Sequence, residues 1–395
     1  MTEALRLGDV VAALDSLYDP RWAQDWDAVG LVVGDPDQPV RRVLLAVDPV
    51  QAVVDEAVTW GADLVVTHHP LLLRGVHSVA TTHPKGRAVT SLVRAGLALH
   101  VAHTNADVAD PGVSDSLATA LGLTDLRPLQ PLPADPLDKV VTFVPEAAAE
   151  AVVDALAAAG AGRLGAYERC AVTSASNGTF TPLPGADPAV GAIGRREVVP
   201  ETRVEMVLPR HRRAAVVAAL RTAHPYEEPA YDVLELADLP GRRGVGRIGT
   251  WPAGGSLREL AARVAAALPA TPHGVRVGGD LDRPVRSVAV LGGAGDDMFE
   301  TVRAAGVDAY VTADLRHHPA SEALEHGAPG LVDVSHWAGE WPWLADCARL
   351  LVERLGERHP VADTVETRVS RLVTDPWVEA IAGADPTTTT ARSPH

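Results

Sequence analysis

Residues 62–70 read ADLVVTHHP, an apolar run that ends in two histidines and a proline. The β-branched run at 64–66 is typical of a strand buried on both faces of a sheet. Ligands of open α/β sheets bind beyond the carboxyl ends of such strands, and His68 and His69 follow at that place. We therefore predict a ligand site at this strand end, with the rest of the chain organised around it.

Three later segments repeat this arrangement of a strand-like run followed by imidazole and carboxylate groups. They are ALHVAHTNAD at 98–107, AYVTADLRHH at 309–318 and LVDVSHWAGE at 331–340. Four strand ends with such side chains predict one shared metal site. A set of His, Asp and Glu donors without cysteine suits zinc, iron or manganese. In two-metal hydrolytic sites the ions lie about 3.5–4 Å apart and activate a water molecule.

Predicted strands alternate with predicted helices along the first and last thirds of the chain. In the first third, the strands are at 42–47, 63–67 and 97–102, and helices lie between them at 49–60 and 85–95. This alternation predicts βαβ units and mostly parallel sheets, hence an α/β fold. The last third repeats it, with a predicted glycine turn at 292–295.

The middle of the chain follows a different pattern. Prolines at 128, 131, 133 and 136 predict a linker at 126–136, because proline resists both helix and strand. The predicted elements after it follow the order β-α-β-β-α-β, with Asn177-Gly178 as a turn, which is ferredoxin-like. Residues 239–244 are the predicted return linker.

These changes of pattern set the predicted domain boundaries. Residues 1–127 form the first half of the metal-binding α/β domain, 128–240 form an inserted ferredoxin-like domain, and 241–383 form the second half. The threonine-rich tail at 384–395 is predicted to be disordered.

Composition excludes several classes of protein. The formal net charge of −16 opposes nonspecific binding to nucleic acid, which needs a basic surface. The two cysteines, Cys170 and Cys347, form no CxxC motif, so neither a disulfide framework nor a thiolate zinc site is expected. No apolar run is long enough for a membrane span, and no signal peptide is recognisable. We expect a cytoplasmic protein that binds neither membranes nor nucleic acid.

The spacing of the candidate ligands favours two cations over one. Adjacent side chains diverge on an extended backbone, so His68 and His69 suit two ions better than one. His336 and Glu340 are four residues apart, which places them on one helical face, with Ser335 as a candidate N-cap. A solvated helix pair is the alternative for these two. His103 and Asp107 have the same spacing, and a helix-start cap is the alternative there.

Several other residues are weaker candidates. Asp314, His317 and His318 are candidates for partners that orient ligating histidines, or for surface groups. The loop after the histidine pair offers basic groups for an anionic substrate, with a solvated loop as the alternative: Arg74, His77, His83, Lys85 and Arg87. Residues 224–228 read HPYEE, for which a turn is favoured over a ligand cluster. Trp337, Trp341 and Trp343 either wall a pocket or pack in the core.

The motifs in combination resemble those of a known family. They are WDAVGLVVGD (26–35), THHPLLLRGV (67–76), HTNAD (103–107), TADLRHH (312–318) and LVDVSHWAGEW (331–341). The family is the GTP cyclohydrolase 1 type 2 homologue family, also called the Ngg1-interacting-factor-three-like family. The resemblance covers about residues 4 to 380. Two further segments, GTFTPLPGADPAVG (178–191) and AHPYEEPAYDV (223–233), resemble the inserted domain of the long bacterial members, which is similar to PII and copper-tolerance protein A folds.

The resemblance implies a dinuclear metal centre between two intertwined, similar α/β halves. The implied ligands are His68, His69, Asp107, His336 and Glu340. Glu340 would bridge two divalent cations, one nearer His69 and Asp107 and the other nearer His68 and His336. His103 matches a position beside the centre and is the candidate catalytic proton shuttle. Family members assemble as toroidal homohexamers, which we also expect here.

The leading hypothesis for function is a metal-dependent hydrolase of the GTP cyclohydrolase kind. The activated water would attack an electron-poor ring carbon or amide of a nucleotide-like small molecule. The rival hypothesis is a non-enzymatic scaffold that stores, delivers or senses metal. A third is an interaction protein whose metals are structural, which differs by a closed coordination shell.

Overall fold

The computed structural model describes residues 5–357, 359 and 365–383. The tail at 384–395, for which disorder is predicted, lies outside the described residues. The chain forms two compact units. The first comprises the described residues up to Leu132 and from Arg242 onwards, and the second is Pro133–Gly241. No helix among the described residues is long and apolar enough to cross a membrane.

The described residues form helices and strands, which are numbered here in chain order. The helices are α1 (Leu7–Leu17), α2 (Gln51–Trp60), α3 (Pro84–Ala95), α4 (Thr104–Asp107), α5 (Val113–Leu121), α6 (Ala149–Ala158), α7 (Arg213–Ala223), α8 (Leu257–Ala267), α9 (Phe299–Ala305), α10 (His317–Glu325) and α11 (His336–Gly356). The strands are β1 (Gly30–Val33), β2 (Arg42–Ala46), β3 (Leu64–Thr67), β4 (Ala98–Val101), β5 (Thr124–Pro133), β6 (Leu137–Val144), β7 (Val172–Phe180), β8 (Glu197–Pro209), β9 (Tyr231–Glu235), β10 (Pro240–Ser256), β11 (Arg276–Gly278), β12 (Pro284–Ala294), β13 (Ala309–Ala313), β14 (Gly330–Val334) and β15 (Glu366–Val369).

The first unit contains two sheets built on the same plan. In the five-stranded sheet the order is β1-β4-β3-β2-β15, and in the six-stranded sheet it is β11-β14-β13-β12-β10-β5. Three parallel strands form the centre of each, β2, β3 and β4 in one and β12, β13 and β14 in the other. An antiparallel strand borders each centre, β1 beside β4 and β11 beside β14. The two halves are therefore similar.

The halves are also intertwined, because each sheet takes a strand from the other half of the chain. β15, near the end of the described residues, pairs in parallel with β2. β5, which precedes the second unit in sequence, lies at the edge of the six-stranded sheet beside β10. The predicted fold class, two intertwined α/β halves with mostly parallel sheets, is confirmed.

One large core lies between the two sheets. It joins residues of β3, such as Val66, to residues of β13, such as Val311, with α1, α5 and α11 packed around them. The central strands β3, β4, β13 and β14 are buried at every residue, as the apolar runs predict. Burial of one such Val or Leu side chain contributes about 1.5–3 kcal/mol relative to exposure. The strand ends that carry the candidate ligands therefore belong to a rigid scaffold.

The second unit has a four-stranded antiparallel sheet in the order β7-β8-β6-β9. Its helices α6 and α7 contribute Val152, Leu156, Val216 and Leu220 to a core with the sheet. The sequence β6-α6-β7-β8-α7-β9 is the β-α-β-β-α-β order of a ferredoxin-like domain. The likeness of this unit to PII and copper-tolerance protein A stays a prediction.

Both predicted linkers contain a boundary between the two units, at 132/133 and 241/242, but they are strands and not irregular chain. Residues 126–136 lie mostly in β5, and residues 239–244 begin the long strand β10. Proline is tolerated in β5 because this strand is at the edge of its sheet, where one side of the backbone needs no ladder hydrogen bonds. The proline pattern indicated an edge strand, which sequence alone could not distinguish from a linker.

Two predicted turns are also wrong. Asn177 and Gly178 lie inside β7, opposite Pro200 and Val199 of β8. The predicted glycine turn at 292–295 is mostly strand, because β12 continues to Ala294 through a register shift after Val290. At Gly178 the paired strand β8 keeps the backbone extended, whereas Gly292 and Gly293 lie within the irregular part of β12.

Candidate metal centre

Three strand ends of the first unit bring four imidazoles to one place. His68 and His69 follow β3, and His103 follows β4 and precedes α4. His336 is the first residue of α11, directly after β14 and the N-cap Ser335, whose hydroxyl accepts a hydrogen bond from the amide of Ala338 (3.3 Å). The segments that carry these histidines therefore lie close together in the structure, as the sequence predicts.

The chain bends at His68 and His69, so the two rings stay close together and do not diverge as they would on an extended backbone. Nδ1 of His68 lies 2.9 Å from the carbonyl oxygen of Ala102, beyond β4. Nδ1 of His69 lies 2.7 Å from Oδ1 of Asp48, beyond β2. The two rings are thus held from opposite sides, with centroids 5.2 Å apart.

Glu340 lies at the centre of the cluster and is buried, with 3% of its side chain exposed. Its Oε1 is 2.9 Å from Nε2 of His336 and 3.4 Å from Nε2 of His68. Its Oε2 is 3.1 Å from Nε2 of His69. The i, i+4 spacing on α11 therefore joins a buried carboxylate to an imidazole of which 33% is exposed, and not two solvated side chains. The carboxylate faces both histidines of the pair, as a bridging ligand must.

His103 and Asp107 flank the opposite side of the cluster. Nδ1 of His103 is 2.9 Å from Oδ1 of Asp27, and its ring centroid is 5.2 Å from that of His68. His103 occupies the N-cap position of α4, but its side chain makes no capping hydrogen bond. Oδ1 of Asp107 is 3.5 Å from Nε2 of His68. The imidazole faces the site and does not cap the helix.

All four imidazoles have their Nδ1 atoms engaged by an oxygen. The partners are Ala102 for His68, Asp48 for His69, Asp27 for His103 and Asp314 for His336, the last at 2.7 Å. Metal-ligating histidines are commonly oriented in this way, with the other ring nitrogen left for the ion. The residue that orients His336, Asp314, has a φ of +56°, an uncommon conformation that typically marks a constrained site.

Three buried polar atoms at the site have no hydrogen-bond partner among the described residues: Nε2 of His68, Oδ1 of Asp107 and Oε2 of Glu340. A buried polar atom without a partner is costly, so native structures rarely leave one unexplained. Two overlapping groups of donors have ligand atoms within 4.8 Å of one another, His68-His69-His103 and His69-His336-Glu340. The donor set therefore fits divalent cations.

Charge at the site favours cations as well. Burial opposes protonation of His69, but the Glu340 carboxylate and the hydrogen bond to Asp48 outweigh it and raise the pKa of the imidazole to about 11. Burial and Glu340 act on His336 in the same way, and its pKa is raised to about 10. Burial raises the pKa of Asp107. Burial also opposes ionisation of Glu340, yet the surrounding imidazoles hold its pKa well below its usual value.

The contacts reverse one expected detail, the pairing of the ligands. Asp107 lies next to His68, not His69, and His336 lies 3.2 Å from His69 (Nε2 to Nε2). The reason is the direction of each ring, since His68 leans towards β4, after which Asp107 follows, whereas His69 leans away from it. The chain order of adjacent histidines cannot reveal this direction.

Two carboxylates of the site were not predicted from the sequence, Asp27 and Asp48, which orient His103 and His69. Asp48 lies two residues beyond the end of β2, so the strand-end rule that selected the histidines would have found it. Asp27 lies in a quoted motif, but nothing in the sequence indicated its role. Thr374, whose hydroxyl donates a hydrogen bond to Oδ2 of Asp48, was not predicted either.

Some of the weaker candidate residues lie at the site and others do not. Asp314 orients His336, whereas His317 and His318 are exposed and contact each other. Trp343 packs in the core, with its ring centroid 5.3 Å from that of His68. Trp337 belongs to the same core and also lines a pocket beside the site.

Two cavities adjoin the cluster on either side of His69. One, of about 300 Å³, is lined by His336, Trp337 and Trp377 among others. The other, of about 390 Å³, is lined by Lys85 and Arg87. Of the five basic residues that follow the histidine pair, these two, which belong to α3, line the cavity and the remaining three do not. The site is therefore accessible from an aromatic side and from a basic side.

Known proteins resemble this chain in both sequence and structure. The sequence profile of the family described as Duf34/NIF3 (NGG1p interacting factor 3) matches residues 5–376. A Mycobacterium tuberculosis protein named GTP cyclohydrolase 1 type 2 homolog is 51% identical over 375 residues, which cover 95% of this chain and 97% of that protein. A Streptomyces coelicolor protein of the same name is 40% identical over 390 residues, 99% of either chain. The crystal structure of a Bacillus cereus protein related to NIF3 superposes with a TM-score of 0.80 at 36% identity, over 96% of this chain and 100% of that chain.

Proposed function

This chain belongs to the Duf34/NIF3 (NGG1p interacting factor 3) family, and we propose that it is a metal-dependent hydrolase acting on a nucleotide-like substrate. The observation that carries the proposal is the arrangement of Glu340 between His68, His69 and His336. Three buried polar atoms there have no hydrogen-bond partner in the described part of the chain. The name shared by the relatives, GTP cyclohydrolase 1 type 2 homolog, supplies the substrate class.

The residues would hold two divalent cations, zinc, iron or manganese. His68 and Asp107 would hold one, His69 and His336 the other, and Glu340 would bridge them, in line with the distances between these groups. When bound, such cations lower the pKa of water and stabilise negative charge that develops on a substrate.

The chain's own groups would bind and orient the substrate. Lys85 and Arg87 line the cavity beside His69 and form no ion pair with any described residue, so they are available for phosphate oxygens. Trp377 is 64% exposed and lines the other cavity, where a flat ring can stack on its indole. A nucleotide-like molecule matches both surfaces.

His103 would move protons during the reaction. Asp27 accepts a hydrogen bond from its Nδ1 at 2.9 Å and so fixes the tautomer, which leaves Nε2 to take or give a proton. The Asp27 carboxylate is itself held ionised, since hydrogen bonds from His103 and Thr104 outweigh burial and lower its pKa. Replacement of His103 by Asn would then slow turnover more than it lowers metal content.

The proposal extends to the assembly and its place in the cell. We infer a homohexamer in the cytoplasm, as the family resemblance implies. Size-exclusion chromatography with light scattering would test the hexamer, and a monomer at micromolar concentration would contradict it.

The decisive experiment is reconstitution of the purified chain with manganese, iron or zinc, followed by incubation with GTP. Release of formate or a ring-opened product is expected, together with loss of product and of bound metal in Glu340→Gln. Glu353→Gln, which removes an exposed carboxylate from the same helix, is the matched control and should match the wild type. Two bound metals with no product under any metal would favour the non-enzymatic scaffold.

A further inference from the structure

The second unit contains a cavity of about 500 Å³ that the proposed hydrolase chemistry does not use. Two sequence motifs of this unit converge on it, although more than thirty residues of sequence separate them. The segment at 178–191 contributes residues from Gly178 to Val190, and the HPYEE segment contributes Tyr226, Glu227 and Glu228. The volume lies in the range of small-molecule sites.

Aromatic and small apolar side chains form most of the wall. Phe143 of β6, Phe180 at the end of β7 and Tyr226 line the cavity together with Pro182 and Pro188. The ring centroids of Phe180 and Tyr226 are 6.1 Å apart, with planes inclined at 57°. Such walls suit an apolar body, and their ring faces also attract a positive charge.

A buried carboxylate completes the cavity. Glu201 of β8 is only 7% exposed, and its Oε1 accepts a hydrogen bond from the hydroxyl of Tyr226 at 2.8 Å. Burial and this carboxylate raise the pKa of Tyr226 to about 12, so the phenol stays a neutral donor near pH 7. Glu201 forms no ion pair with any described residue. A buried carboxylate normally has a cationic partner, and none of the residues that the structure describes supplies one here.

The other charged groups of the lining have the same sign. Glu227 and Glu228 are both acidic and exposed, and the lining contains no lysine, arginine or histidine. The guanidinium of Arg203 lies 5.9 Å from the Phe143 ring centroid, but it is paired with Glu205 at 2.9 Å and does not line the cavity. Anionic ligands, nucleotides included, are therefore excluded by repulsion.

Gly178 explains how the carboxylate reaches its position. A Cβ at residue 178 would lie 2.3 Å from Oε2 and 2.6 Å from Cδ of Glu201. Any other residue at position 178 would displace the Glu201 carboxylate from the wall. The Asn177-Gly178 pair thus provides space for the carboxylate and does not form a turn.

We propose that this cavity binds a small organic ammonium ion with an apolar or aromatic body. The ammonium group pairs with Glu201, and the body packs against Phe143, Phe180 and Tyr226. The proposal is independent of the metal centre, since all of its residues belong to the second unit.

The test uses three probes that share a phenylethyl group and differ in charge. They are the cation 2-phenylethylammonium, the neutral 2-phenylethanol and the anion 3-phenylpropionate. Binding to the full-length chain at pH 7 is measured by saturation-transfer NMR and calorimetry. We expect the ammonium ion to bind at least about tenfold more tightly than the alcohol, because a charge-assisted hydrogen bond is worth more than a neutral one. The carboxylate should not bind.

Variants locate the site. Glu201→Gln keeps an acceptor for Tyr226 but removes the charge, so it should abolish the preference for the ammonium ion over the alcohol. Asp232→Asn is the matched control, because this exposed acid on β9 does not line the cavity and should leave the preference unchanged.

Gly178→Ala should weaken ammonium binding as Glu201→Gln does, with Gly165→Ala as a control in open space. Equal binding of all three probes, no binding of the ammonium ion, or a preference that survives in folded Glu201→Gln would each overturn the proposal. Circular dichroism and thermal unfolding establish that the variant is folded. An assembly in which a side chain of a second copy fills the cavity would exclude the probe and would likewise count against it.

Discussion

Nε2 of His69 lies 3.2 Å from Nε2 of His336, although 267 residues separate them in the chain. Both rings have their Nδ1 atoms bound to carboxylates, Asp48 and Asp314. Two imidazole nitrogens at this distance need a proton or a cation between them, because their lone pairs otherwise repel. The contact also joins the two halves of the first unit at the site.

This contact predicts that each histidine is needed for metal. His69→Ala and His336→Ala should each lose about one cation per chain or more, measured by elemental analysis after dialysis. His326→Ala is the control, since this exposed histidine bonds only its own helix through Nδ1 and the Glu322 carbonyl. Full metal content in His336→Ala would remove this residue from the ligand set.

Gly293 leaves the space in which Glu340 lies. Its φ is +79°, and a Cβ there would be 2.7 Å from Oε1 of Glu340 and 3.4 Å from Nε2 of His336. Gly293→Ala should therefore displace the carboxylate and lower metal content strongly. The readout is the metal-to-protein ratio of the folded variant.

A matched control separates crowding from backbone strain. Gly306 has a φ of +66°, and a Cβ added to it would meet nothing within 4 Å, so Gly306→Ala carries the same strain, of about 1 kcal/mol, without crowding. Both variants should lose similar stability in chemical denaturation, but only Gly293→Ala should lose metal. Equal metal content in the two would show that the space beside Glu340 is not limiting.

Thr374 supports the site from the far end of the described chain. Its hydroxyl donates to Oδ2 of Asp48, and Oδ1 of Asp48 is bound to His69 at 2.7 Å. Asp48→Asn should weaken metal binding by about 10–100-fold, the usual effect of removing a partner of a ligating histidine. Thr374→Val should weaken it less, and Thr374→Ser should restore it. Chelator competition measures the metal affinity of all three variants. If Thr374→Val and Thr374→Ser weaken metal binding equally, Thr374 acts through packing and not through its hydroxyl.

Lys85 and Arg87 are predicted to recognise phosphate. Arg87→Ala should weaken binding of GTP by about tenfold or more and leave binding of guanosine unchanged, since only the former has phosphates. Arg94→Ala, an exposed arginine on the same helix outside the cavity, is the control. Equal losses for GTP and guanosine would mean that Arg87 acts through the fold. Calorimetry on the metal-loaded chain provides the measurement.

Asp138 of the second unit is predicted to make stability depend on pH. Its side chain is buried, and hydrogen bonds from Arg213 and Arg210 (2.7 and 3.0 Å) lower its pKa despite burial. Because the folded pKa lies below the unfolded value of about 3.9, this contribution is present above that pH and is lost as pH falls through the folded pKa.

The corresponding variant tests this contribution. Asp138→Asn should destabilise the second unit by about 2 kcal/mol near pH 7 and less in acid, read from hydrogen exchange in β6 and β8. Asp154→Asn breaks only an exposed pair with Arg169 and should have little effect. A loss in Asp138→Asn that does not diminish in acid would contradict the assignment.

The sequence by itself determined the type of fold and the histidines of the cluster. Continuous apolar runs at β3, β4, β13 and β14 require burial on both faces, so parallel sheets follow. Side chains at the carboxyl ends of such strands meet at one edge, which is why His68 and His336 could be grouped from the sequence.

Tertiary structure decided what depends on partners distant in the chain. Whether prolines at 128 and 131 form a linker or an edge strand depends on β10 alongside them. Whether Asn177-Gly178 turns or stays extended depends on β8 and the Glu201 carboxylate. The direction in which each ring of a histidine pair leans depends on its Nδ1 partner. None of these partners is local in sequence, and local propensity is too weak to outweigh a paired strand or a buried charge.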